Sequence, residues 1–133
     1  MLLLGCQKKQ QLPQICFEET CFDLEIADDT EEREQGLMWR EELNEDAWML
    51  FVFEQSRVSR FWMKNTLIPL DMLWLDEWWK VVYIEHDVLP CEADPCPTYG
   101  PTQEVAKYVL ELNAGSANEF ELHIGDIAEM IGL

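Results

Sequence analysis

A mainly β domain, a sandwich or barrel of short strands with one or two small helices, is the fold class the sequence predicts. Three observations predict it. The apolar runs are short, closely spaced and separated by turn residues. Helix starts are signalled at only two places, Thr30 and Ser116. Apolar residues make up 48% and aromatic residues 11% of the 133, which suffices for one buried core and excludes disorder over most of the length.

The elements follow in chain order. Residues 1–14 read as a truncated lipoprotein signal and polar tether, and residues 15–133 as a single β-rich domain. Leu3-Leu4-Gly5-Cys6 resembles a lipobox, with Gly5 as the small residue before a lipidated Cys6. Only four residues precede the pair Gly5-Cys6, so either a basic, apolar leader lies upstream of Met1 or the match is a chance one, a short apolar start with a buried or free thiol. Residues 21–26 alternate apolar and acidic side chains, as a half-buried strand does. Thr30 reads as an N-cap with Glu31 and Glu32 in a first turn, and Gly36 ends that helix. Residues 40–47 read as a polar loop. Trp48 to Phe53 is a continuous apolar run, suited to a strand buried on both faces.

Residues 55–59 read as a loop and 61–63 as a short strand, broken at Lys64-Asn65-Thr66 and Pro69. Residues 71–76 and 80–88 form an expected hairpin. Pro90, Pro95, Pro97 and Pro101 make residues 89–103 a long loop. A strand is expected over 105–112. Ser116-x-x-Glu119 has the form of a capping box. Residues 124–131 fit a strand or a helix.

Five cysteines occur. Setting Cys6 aside leaves two Cys-x4-Cys pairs, Cys16/Cys21 and Cys91/Cys96, which suits an exported protein with two disulfides. Local pairing is favoured because a short loop closes easily. It requires residues 17–20 and 92–95 to turn, since bonded cysteines hold their Cα atoms about 5.5–6 Å apart. A four-thiolate zinc site is the alternative.

The chain carries 27 acids against 9 bases, a net charge of −18. Such a surface repels a phosphate backbone, so no nucleic-acid partner is expected. Residues 18–46 alone hold 13 acids and two bases. A solvated acidic face is the plain reading, and a cation-binding or basic-partner surface the sharper one. No apolar run is long enough for a membrane-spanning helix.

Three segments taken together are distinctive: Glu34-Gln35-Gly36-Leu37-Met38-Trp39-Arg40, the stretch from Phe61-Trp62-Met63-Lys64-Asn65-Thr66 to Pro69-Leu70-Asp71, and Tyr108-Val109-Leu110-Glu111-Leu112-Asn113-Ala114-Gly115. With Met49-Leu50-Phe51 and Gly125-Asp126 they resemble domain-of-unknown-function family 192 from about residue 21 to 131. The resemblance implies a jelly-roll-like sandwich in a small exported or lipid-anchored protein, with no established activity. The sequence departs from the family at Ala47-Trp48, where a Gly usually stands, and at Trp78-Trp79, where a Gly-containing hairpin turn is usual.

Candidate site residues come from these motifs. Trp62 would floor a cleft, with Lys64, Asn65 and Thr66 as donors to an anion or a sugar; an Asn-centred turn with a solvated Lys64 is the structural alternative. Asp71 is expected to hold Lys64 or Arg40 in an ion pair, or to act as a general base. Strand alternation puts Glu111 and Asn113 together, outward on a cleft wall. Asp71 and Glu111 are the weak candidates for a catalytic carboxylate pair in glycoside hydrolysis. Met38, Met49 and Met63 each neighbour a Trp; core packing is the plain reading and copper(I) binding the sharper one.

The function these residues favour is a non-catalytic, envelope-associated binding or accessory module with a cleft at the Trp-Met-Lys-Asn-Thr turn, its ligand-binding candidates being Arg40, Trp62, Met63, Lys64, Asn65, Thr66, Asp71, Glu111 and Asn113. Its partner would be a small molecule or an envelope component, and no cofactor or metal is called for. It is expected to be exported, periplasmic or on the outer surface, and held at the membrane if Cys6 is acylated. A carbohydrate-active hydrolase and a soft-metal carrier are the alternatives.

Overall fold

The computed structural model describes residues 12–133. The lipobox-like start with Cys6, and most of the expected tether, lie outside the described residues. Strand β1 (Gln14–Phe17) turns directly into β2 (Thr20–Ala27), with Cys16 opposite Cys21 and bonded to it. Helix α1 (Thr30–Gln35) follows, then β3 (Ala47–Arg57), β4 (Phe61–Trp62), β5 (Leu70–Leu75) and β6 (Val81–Val88). The chain closes with β7 (Thr98–Tyr99), β8 (Ala106–Asn113), α2 (Ser116–Glu119) and β9 (Glu129–Ile131). Seven strands form one mixed sheet in the order β6-β5-β8-β3-β2-β1-β9, and β4 pairs with β7 in a separate ribbon.

The β2–β3 pair is parallel, so the chain must cross back between them, and α1 lies in that crossover. Asp29, not Thr30, caps the helix: its carboxylate accepts the Glu32 N–H at 2.7 Å. Gly36 ends it at φ +47°, and a Cβ there would come within 3.1 Å of the Phe51 ring. Glycine satisfies both the backbone angle and the close approach.

Alternation along β3, β5 and β8 builds two cores, one on each face of the sheet. One face carries Trp48, Leu50, Leu73 and Leu110, with Phe22 stacked on Trp48 at 3.7 Å and Ala117 of α2 packed in. The opposite face carries Met49, Phe51, Met72 and Trp74. Phe61 of the ribbon meets this second face edge-on, 4.9 Å from Phe51 and 6.0 Å from Trp74. Burying both faces of one sheet beneath a smaller ribbon and two short helices gives the expected sandwich-like, mainly β domain.

Three local expectations need correction. Residues 55–57 continue β3, because after a register shift Arg57 pairs with Ala106 of β8. The proline-rich loop contains β7, which pairs Tyr99 with Phe61 and Thr98 with Trp62. Cys91 and Cys96 are bonded within that loop as expected, so all four described cysteines are bridged locally. Ser116 is not an N-cap. Gly115 takes that position, and the Asp71 carboxylate on β5 accepts the Ala117 N–H at 2.9 Å. At the β5–β6 turn, Trp79 adopts φ +67° where the family resemblance suggests a glycine, and its ring stacks on Tyr108 at 3.7 Å.

Candidate binding cleft

A cleft of about 440 Å³ opens between the end of α1, the far half of β3 and the β4–β7 ribbon. Each wall follows from a local feature. The extension of β3 to Arg57 places Phe51, Phe53 and Arg57 along one side of it. The sharp exit at Gly36 brings Met38 to the second wall. The ribbon supplies Phe61, Trp62 and Thr98.

The Lys64-Asn65 turn divides its side chains between jobs. Met63 is fully buried, and its carbonyl accepts the Thr66 N–H at 3.1 Å. Lys64 and Thr66 line the cleft. Lys64 lies over the Trp62 ring, its Nζ 5.3 Å from the centroid and 3.9 Å from Asp94. Asn65 sits at φ +56°, which Asn tolerates better than most residues. Its carbonyl accepts the Trp39 N–H at 2.8 Å and its amide nitrogen lies 4.0 Å from the Met38 sulfur. Asn65 therefore ties the turn to the Gly-Leu-Met loop rather than facing a ligand.

Of the nine expected site residues, Trp62, Lys64, Thr66 and Glu111 line the cleft. The other five serve elsewhere. Arg40 makes a two-pronged ion pair with Glu25, which favours its charged form and raises its pKa. Asn113 donates to the Leu43 carbonyl at 2.6 Å. Met63 has no exposed surface, so its sulfur meets core neighbours and not a cleft. Asp71 is fully buried and bonds neither Lys64 nor Arg40. Its two oxygens accept backbone N–H groups of Asp87 and Ala117, each at 2.9 Å.

The Asp71–Glu111 pair is contradicted by register. In the β5–β8 ladder Asp71 stands opposite Leu112, and Glu111 opposite Met72. Directly opposed residues share a face, and successive residues alternate. Asp71 therefore points to the α2 face while Glu111 points to the cleft face. No substrate bond can lie between them.

Glu111 is also not outward. It is 5% exposed, and its Oε1 would lie 3.6 Å from a Cβ built on Gly36. Among the described residues nothing hydrogen-bonds its carboxyl, and burial pushes its pKa up to about 8. At neutral pH it is mostly the uncharged acid, a potential donor at the cleft wall.

Three cleft residues escaped the sequence reading: Arg33, Arg57 and Arg60. For Arg57 and Arg60 one signal was available. Residues 55–70 hold three bases and no acid within a chain of net charge −18.

Comparison with known proteins gives the following. The DUF192 family model, described as an uncharacterized ACR, matches residues 14–130. A crystal structure from Sinorhizobium meliloti 1021, provisionally described as a transcription regulator, superposes with a TM-score of 0.77 at 33% identity, covering 89% of this chain and 91% of that one. A protein of unknown function from Novosphingobium aromaticivorans DSM 12444 superposes with a TM-score of 0.75 at 28% identity, covering 88% and 82%. No curated protein matches.

Proposed function

The chain belongs to domain-of-unknown-function family 192, and from that premise we propose that it is a non-catalytic binding module of the cell envelope whose ligand enters the cleft beside the Lys64-Asn65 turn. One observation carries this reading. The motif's own Trp62, Lys64 and Thr66 wall an open cleft of about 440 Å³, within the size range of small-molecule sites. The expected partner of the buried Glu111 carboxyl, Asp71, points to the opposite face of the sheet, which leaves hydrolysis by that carboxylate pair without support.

Two local disulfides fit an oxidising compartment. Among the described residues no helix is long and apolar enough to cross a membrane. Envelope attachment would rest on acylation of Cys6, which mass spectrometry of the native protein tests. The regulator description of the Sinorhizobium protein does not transfer well: a net charge of −18 opposes a nucleic acid.

A thermal-shift screen of small metabolites against wild type and Trp62→Ala tests the binding role. Trp62 is 47% exposed, so the variant should fold. Compounds that stabilise wild type but not the variant support the reading. Compounds that stabilise both alike place binding elsewhere.

A further inference from the structure

The charge of the cleft is opposite to that of the molecule. Four of the chain's nine bases, Arg33, Arg57, Arg60 and Lys64, line it, against two acids, Glu34 and Glu111. On the reading that this cleft is the binding site, we propose that its ligand is a small molecule carrying an oxyanion, a carboxylate or a phosphate, that Arg57 and Arg33 hold, with Phe61 and Trp62 on the wall beside the rest of the ligand.

The three arginines are held in place without being neutralised. Arg33 Nη1 donates to the backbone carbonyls of Asp28 and Val52 at 2.8 and 2.9 Å. Arg60 donates to the Thr98 hydroxyl and carbonyl and to the Gly100 carbonyl. Carbonyls orient a guanidinium but leave its charge in place. Arg57 is held over the Phe53 ring. Among the described residues the side-chain ion pairs are Arg40–Glu25 and Lys64–Asp94, so Arg33, Arg57 and Arg60 have no carboxylate partner in a chain with 27 acids.

Arg33 and Arg57 also share one ring, their guanidinium carbons 5.4 and 4.3 Å from the Phe53 centroid. Two like charges beside one ring repel each other, and an anion bound by them offsets that repulsion. Arginine forks suit carboxylate and phosphate oxygens alike.

A second, independent observation points to a ligand. Glu111 is nine-tenths buried, lines the cleft and has no hydrogen-bond partner among the described residues. Its carboxyl reaches the cleft, where a ligand oxygen would supply a partner. The neutral acid donates to such an oxygen instead of repelling it.

The test uses the full chain and three probes of similar shape: 2-naphthoate, 2-naphthyl phosphate and the neutral 2-naphthamide, followed by calorimetry. The expected result is that at least one anion binds about tenfold or more tightly than the amide, about 1.4 kcal/mol by the tenfold rule. Which anion leads separates a carboxylate ligand from a phosphate one. Arg57→Gln should erase the advantage, while Lys80→Gln, outside the cleft, should keep it. Equal or tighter binding of the amide would overturn the anion assignment and leave the cleft as a site for neutral molecules. If none of the three binds at millimolar concentration, the cleft reading itself fails.

Discussion

The Arg57 guanidinium lies 4.3 Å from the centre of the Phe53 ring, four residues earlier on the same strand. The strand must run on past Phe53 for the two to meet, which the pairing of Arg57 with Ala106 secures. A single aromatic ring thus presents a cation to the cleft. Such a contact is worth about 0.5–1 kcal/mol at an exposed site, while repulsion from Arg33 and Arg60 opposes it. Arg57→Ala should therefore change unfolding free energy by no more than about 1 kcal/mol. Urea titration checks this. A much larger loss would make Arg57 a structural residue rather than one held ready for a ligand.

Glu111 makes stability depend on pH. Its folded-state pKa is raised from 4.5 to about 8, so the folded protein holds a proton that the unfolded chain releases. The favourable linkage is complete below about pH 4.5 and is lost as pH rises through about 8, at about 1.4 kcal/mol per pH unit in between. Glu111→Gln should flatten this slope. Denaturant titrations of both proteins between these limits measure it, and identical slopes would show that Glu111 is not the group responsible.

Asp71 is predicted to matter for folding and not for binding. Asp71→Ala leaves two amides without an acceptor, at a cost of about 1–3 kcal/mol each. Asp71→Asn, which keeps one acceptor oxygen, should cost less. If the Asn variant remains folded, its affinity for any cleft ligand should match wild type, because the side chain lies on the other face of the sheet. A folded Asp71→Asn protein with lost affinity would contradict this placement.

Each disulfide closes a loop of five residue steps, which the chain-entropy model values at about 2 kcal/mol. Replacing Cys91 and Cys96 together by Ser should lower stability by about that amount. It also frees the loop that carries Asp94, the partner of Lys64. Thermal unfolding with and without reductant measures the first effect; an unchanged midpoint would mean that the loop is held by its other contacts.

The net charge of −18 should make stability rise with salt. Screening shortens from roughly 30 Å at 0.01 M to 10 Å at 0.1 M ionic strength, which weakens repulsion among the acids. A melting temperature that increases with sodium chloride over this range is expected, and a decrease would mean that favourable ion pairs dominate.

Strand positions were readable because apolar runs and turn residues are local signals. Residues 48–53, 71–76 and 105–112 all lie in or overlap strands. The facing of Glu111 was not readable. Alternation separates two faces but does not say which is solvated, and here both are buried. The cap that Asp71 places on α2 joins residues 46 positions apart, so no local pattern signals it. Trp62, Lys64 and Thr66 were found through their motif. Arg33, Arg57 and Arg60 come from α1, the end of β3 and the edge of β4, and only the folded topology brings them together.

The most direct test of the cleft is an amide and indole chemical-shift titration of the isotope-labelled protein with 2-naphthoate. Shifts concentrated at Gly36, Arg57, Trp62 Nε1, Lys64 and Thr66 are expected. Saturable shifts confined to the opposite, α2-covered face of the sheet, around Ala117 and Leu122, would contradict the assignment of this cleft as the binding site.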